Sequence, residues 1–270
     1  MNKRIFAFGC SHTQYPWPTW ADLIGHSAKQ EGFKYYNYGQ SGYGNFAIYA
    51  SMIHADLIHT FTPDDIIMVL WSGWNREDRF HNNVWTNVGN VFNNSHFNDE
   101  FIKQHWSSSN DCITTVSAIY SATKIFNPVF SASGFPGGYE TPRVDYAETP
   151  NIGPNDFSDE YIVRCSDVLS RIDGHWNTLS HIKYVEQVVS AIVGITLSKE
   201  TIKWGEDFNA MVEQEIPKIA LFTENEQRLH EYLMMRRGWA ALKSGILGDK
   251  DIWNPESAAV FLKYFNNNLI

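Results

Sequence analysis

Asp64-Asp65 gives way to Ile66-Ile67-Met68-Val69-Leu70, five apolar residues with no polar interruption. A strand with one wet face alternates apolar and polar positions; an unbroken apolar run belongs to a strand buried on both faces, as in a parallel sheet covered by helices. Lys3 to Phe8 reads as a short apolar strand too, with Ile5 to Phe8 its apolar run. Parallel neighbours need long crossovers, and the sequence between these runs supplies them.

Thr19 to Lys29 has helical spacing with Trp20, Leu23 and Ile24 on one face. Phe33 to Tyr38 reads as a second strand. Asn45 is placed to cap a helix through Ile48, Met52, Ile53 and Leu57 to about His59, and Pro63 stops it. Residues 80–111 show no clear period and are expected to form a long loop or lid. Thr114 to Phe126 is expected to be a helix and Pro128 to Ser133 the fourth strand, followed by an irregular, Pro-rich stretch. Asn177 to Val193 carries an apolar stripe of Ile182, Val185, Val188, Val189 and Ile192. Beyond about residue 200 the chain turns helical, over Glu206 to Leu221, Glu224 to Leu242 and Glu256 to Phe265, and no chemistry-bearing motif stands out there.

Four segments carry chemistry. Ser11 lies in Phe6-Ala7-Phe8-Gly9-Cys10-Ser11-His12-Thr13, in a strand-to-helix turn. Asp173-Gly174-His175-Trp176-Asn177 offers a base and a carboxylate to orient it. A serine hydroxyl becomes a useful nucleophile when an imidazole takes its proton and a carboxylate holds that imidazole. Asn37-Tyr38-Gly39-Gln40-Ser41-Gly42-Tyr43-Gly44-Asn45 and Trp71-Ser72-Gly73-Trp74-Asn75 each follow a strand. In an open parallel sheet ligands bind at the carboxyl ends of the strands, so the loops can converge on one cleft. His181 competes with His175 as base, and Asp173 also suits a helix cap. Cys10 reads as a small buried residue at a strand end.

Gly-x-Ser near the N-terminus, a Gly-rich turn, Gly-x-Asn and a late Asp-x-His, in that order, resemble the SGNH, or GDSL-type, serine hydrolases over roughly residues 1–195. The resemblance implies a nucleophile at Ser11 with Asp173 and His175 as its acid-base pair. It implies an oxyanion hole made by the Ser11 N–H, the Gly42 N–H and the Asn75 amide, with Gly39 or Gly44 as alternatives to Gly42. Three positions differ from the family pattern: Cys10 stands where an Asp is usual, Arg76 follows Asn75 in place of an Asp, and only Gly174 separates Asp173 from His175. The implied fold class is α/β, a three-layer α/β/α sandwich with a flavodoxin-like parallel sheet and a helical C-terminal extension. Residues 1–199 would form the catalytic domain and 200–270 the extension, a candidate for packing, for a lid or for homo-oligomer contact.

The implied function is hydrolysis of a small acyl ester, an O-acetylated carbohydrate in particular, through an acyl-enzyme and with no cofactor or metal. A carbohydrate O-acyltransferase using the same residues, or a non-catalytic binding module on the same fold, are the alternatives. Ten Trp in 270 residues is a high content, and several flank the motifs. Trp74 and Trp176 suit stacking on a sugar as well as packing, and Arg76 suits an anionic substrate group as well as a salt-bridged surface. With a formal net charge of −9 and no basic stripe, nucleic acid is excluded as a partner. Met1 to Arg4 leads straight into a strand, without a signal-peptide apolar region, and no long apolar run spans a bilayer, so a soluble cytoplasmic protein with no membrane partner is expected.

Overall fold

The computed structural model describes residues 3–81, 84–91, 97–133, 175–220 and 226–248. The chain is α/β. Four parallel strands, β1 (Arg4–Gly9), β2 (Lys34–Asn37), β3 (Ile66–Trp71) and a strand at Phe130–Ser133, lie in the order β2, β1, β3 and then Phe130–Ser133. Register pairs Ile5 with Ile66 and Tyr35, and Met68 with Phe130.

Alternation along these strands divides the core in two. Ile5, Ala7, Met68, Leu70, Phe130 and Ala132 face helix α1 (Trp20–Gln30). Phe6, Phe8, Ile67, Val69 and Trp71 face helix α2 (Asn45–His59) and a later helix at Ser108–Phe126. Both sets are buried, and this is why β3 could carry no polar residue. No described helix is long and apolar enough to cross a membrane.

Residues 80–111, expected to be a long loop or lid, include the end of one strand, the whole of its antiparallel partner and a short helix. β4 (Arg76–His81) and β5 (Val84–Asn90) pair antiparallel, with an irregularity between Arg76 and Asp78, and α3 (Asp99–His105) follows. Arg76-Glu77-Asp78-Arg79 hides its period of two because both faces are polar, and the irregular pairing breaks the alternation further. In chain order the next elements are then α4 (Ser108–Phe126) and β6 (Phe130–Ser133).

Helix α5 runs through Thr178–Tyr184, a π-helical turn at Val185–Val189 and Ser190–Val193, and ends at Gly194 with φ +75°. The π turn adds one residue to the helix and rotates everything after it. Accordingly the inward position near its end is Val193, and Ile192 is 48% exposed. Helices α6 (Lys199–Ala220) and α7 (Glu226–Leu247) follow. Phe208, Val212, Tyr232 and Trp239 from these two helices pack on Tyr15 and Trp17, in the loop between β1 and α1. The expected helix at Glu256 to Phe265 lies outside the described residues.

Candidate active site

β1 ends at Gly9, whose φ is +156°; a Cβ here would strike the Thr13 side chain and lie 2.8 Å from the Leu70 carbonyl oxygen. Beyond it the chain closes one helical turn, with the N–H groups of Thr13 and Gln14 both donating to the Cys10 carbonyl at 2.9 and 3.1 Å. Ser11 rides on that turn, 4% exposed. Cys10 beside it is a buried free thiol.

A buried polar network holds this turn from beneath. Asn37, at the end of β2, donates through Nδ2 to the Thr13 carbonyl at 3.0 Å and to Asp22 Oδ1 at 3.1 Å, and its Oδ1 accepts the Gly39 N–H at 2.9 Å. Asp22 Oδ2 accepts the Thr19 N–H and hydroxyl, each at 2.9 Å, which fixes the start of α1. The same oxygen meets Lys243 Nζ of α7 at 2.9 Å, in an ion pair whose side chains are 2% and 1% exposed. Lys243 also donates to the Tyr15 carbonyl at 2.7 Å.

The Gly-rich turn runs alongside. The Gln40 N–H donates to the Gly9 carbonyl at 3.0 Å and Ser41 Oγ to the Gln14 carbonyl at 3.3 Å. Gly42 has φ +88°, a left-handed conformation that suits glycine, and its carbonyl accepts the Gly89 N–H from β5. Asp78 of β4 accepts the N–H groups of Gly44 at 2.7 Å and Ala47 at 3.0 Å, at the start of α2. Desolvation raises the Asp78 carboxyl to about 6, against the opposing pull of those N–H donors and of Arg76. Asn45, expected to cap α2, instead exchanges hydrogen bonds with the backbone of Ser72 at 2.7 and 2.9 Å and donates to Thr115 Oγ1 at 3.3 Å; Gly44 is the capping residue. This clamps the loop carrying Trp74 and Asn75 to the Gly-rich turn. Trp74 and Asn75 are half-buried, and the Asn75 carbonyl accepts the Val91 N–H at 3.0 Å. Arg76 donates to the Tyr43 carbonyl at 3.1 Å, so part of its donor set serves the turn itself.

Three imidazoles gather next to Ser11's turn. The His12 ring centroid lies 5.3 Å from that of His175 and 6.3 Å from that of His181. His175 stacks on Tyr15 at 3.9 Å with an interplanar angle of 21°. Trp17 Nε1 donates to the Trp176 carbonyl at 2.7 Å, which fastens the residue after His175 across 159 positions of sequence. Trp176 is 7% exposed and packs between His12, His181 and Tyr184, behind the imidazoles. His181 is fully buried, and its Nδ1 has no hydrogen-bond partner among the described residues. Burial holds His181 well below the usual imidazole range, with the charges of His12, His175 and Lys243 acting in the same direction. Among the described residues no group of His, Cys, Asp and Glu is arranged to hold a metal.

Asp173 lies outside the described residues. Ser11, Gly42, Asn75 and His175 all fall on loops at one edge of the sheet, after β1, β2 and β3 and before α5. Sequence reasoning passed over Asp22, Tyr15, Asp78 and Lys243. Thr19-x-x-Asp22 is a legible capping signal for the first; a lysine on an amphipathic helix gives no comparable sign for the last. No family model, curated protein or solved structure matches the chain.

Proposed function

We propose that this chain is a serine ester hydrolase of the SGNH type, on a three-layer α/β/α sandwich with flavodoxin-like strand order. The observation that carries the reading is the packing of His175 against His12, the residue next to Ser11, across the carboxyl edge of a parallel sheet. In the proposed reaction His175 removes the Ser11 proton as Oγ attacks an ester carbonyl, and Asp173 orients the imidazole. The oxyanion is met by the N–H groups of Ser11 and Gly42 and by the Asn75 amide. His175 then returns the proton to the departing alcohol, and water repeats the sequence to release the acid. An O-acetylated carbohydrate is the proposed substrate class, with the half-buried Trp74 and Arg76 at the mouth. Trp176, buried against His12 and His181, leaves sugar contact to Trp74 in this scheme.

Labelling with a fluorophosphonate probe and turnover of an aryl acetate test the reading together. Ser11→Ala should lose both while keeping its fold, and His175→Ala should lose more turnover than His181→Ala, because His181 is sealed in the core. Labelling that persists in Ser11→Ala removes the nucleophile from that position.

A further inference from the structure

We propose that α7 belongs to the working site: Lys243 is a positioning residue that holds Tyr15 stacked on His175. The inference rests on the hydrolase reading for its catalytic consequence, but the tether itself does not. Tyr232, Arg236, Trp239 and Lys243 recur at helical spacing and form one face of α7. That face packs partly on α6, where Trp239 Nε1 donates to Glu215 at 2.7 Å, and partly on the loop between β1 and α1. Trp239 packs edge-on against Trp17 at 6.2 Å, and the Arg236 guanidinium lies 4.8 Å from the Tyr15 ring centroid. Lys243 reaches past both to the Tyr15 carbonyl at 2.7 Å and to Asp22 at 2.9 Å.

An ammonium group is taken out of water only where its charge and its N–H groups find partners. One partner of Lys243, Tyr15, lies in the loop after the Ser11 turn and the other, Asp22, in the first turn of α1, so Lys243 pins the loop against the helix that follows it. Tyr15 then has its backbone held by Lys243 and its ring set on His175 at 3.9 Å. Trp17, two residues on, holds the Trp176 carbonyl. His175 is thereby braced on its ring and through its neighbour's backbone by one loop, and α7 secures that loop. A general base displaced by about 1 Å loses about 10²-fold in rate, so a brace of this kind acts on kcat.

The test uses the full chain and two variants. In Asp22→Asn/Lys243→Met both buried charges go together, which avoids stranding either one; Tyr15→Leu keeps the backbone anchor and removes the stacked ring. The Tyr15 ring current should shift the His175 ring protons in the NMR spectrum, with His175→Gln identifying the signals. Both variants should return those signals toward ordinary positions and lower kcat on an aryl acetate by about 10–100-fold with little change in KM. His175 signals that stay in place in the doubly substituted chain overturn the tether, whatever the turnover. Displaced signals with unchanged kcat overturn the positioning role. If the parent protein neither labels with the serine probe nor turns over ester while the signals still move, the hydrolase reading fails and the tether stands.

Discussion

Asp22 lies beneath the Ser11 turn and Asp78 beneath the Gly42 turn, and each accepts backbone N–H from the loop it supports. They differ in where the opposing charge comes from. Asp22 has Lys243 at 2.9 Å in a fully enclosed pair. Asp78 relies on the N–H groups at the start of α2, with Arg76 acting through its charge. Desolvation dominates at Asp78 and raises its carboxyl to about 6. Two loops of the candidate site are thus fastened by the same kind of side chain, one through an ion pair and the other through the peptide dipoles at the start of α2. The first fastening should be strong and costly to break, and the second weaker and responsive to pH.

The largest expected effect comes from breaking the enclosed pair on one side only. Asp22→Ala leaves Lys243 charged and unpaired, and should lower the unfolding free energy by about 3–5 kcal/mol in chemical denaturation. A loss below about 1 kcal/mol would mean that water reaches the pair, and the contrast with Asp78 would disappear. An intermediate effect is expected at Gly44, where a Cβ would sit 2.5 Å from Asp78 Oδ2. Gly44→Ala must displace the carboxylate or the turn and should cost about 1–3 kcal/mol. A neutral result would show that Asp78 can move without loss, so that it does not hold the turn.

The smallest effect is a slope. Because folding raises the Asp78 carboxyl from its ordinary 3.8 to about 6, the native state binds more protons than the unfolded state between those values. Stability from this group is therefore fully present below pH 4 and is lost as pH rises through 6. Compared with Asp78→Asn, the parent's unfolding free energy should fall over that window and run level above it. A difference that grows from pH 4 to pH 6 would place Asp78 with the ion-paired carboxylates instead.

What the sequence reveals of this fold follows from how strongly burial constrains it. Ile66 to Leu70 announces a strand covered on both sides because no polar residue is tolerated on either face. Thr19 and Asp22 announce the start of α1 by their spacing. The hairpin at Arg76–Asn90 stays hidden because its polar residues answer to loops far away in sequence, as Asp78 answers to Gly44, and not to a local period. At the site, the loops bearing Ser11, Gly42, Asn75 and His175 are legible from their short Gly- and Asn-rich motifs. Their fastenings are not: Lys243 looks like any solvent-facing lysine until α7 is laid against Tyr15.

The ion pair under the Ser11 turn joins residues 221 positions apart. At about 5–20 residues per second on a ribosome, Asp22 is made about 11–44 s before its counter-charge exists. Throughout that interval the emerging β1 and α1 have a carboxylate to bury and no cation to bury it with. The pair beneath the Ser11 turn is therefore completed only when α7 docks. Under the proposed hydrolase reading, a growing chain with its first strands in place would lack the brace on His175 until α7 is added.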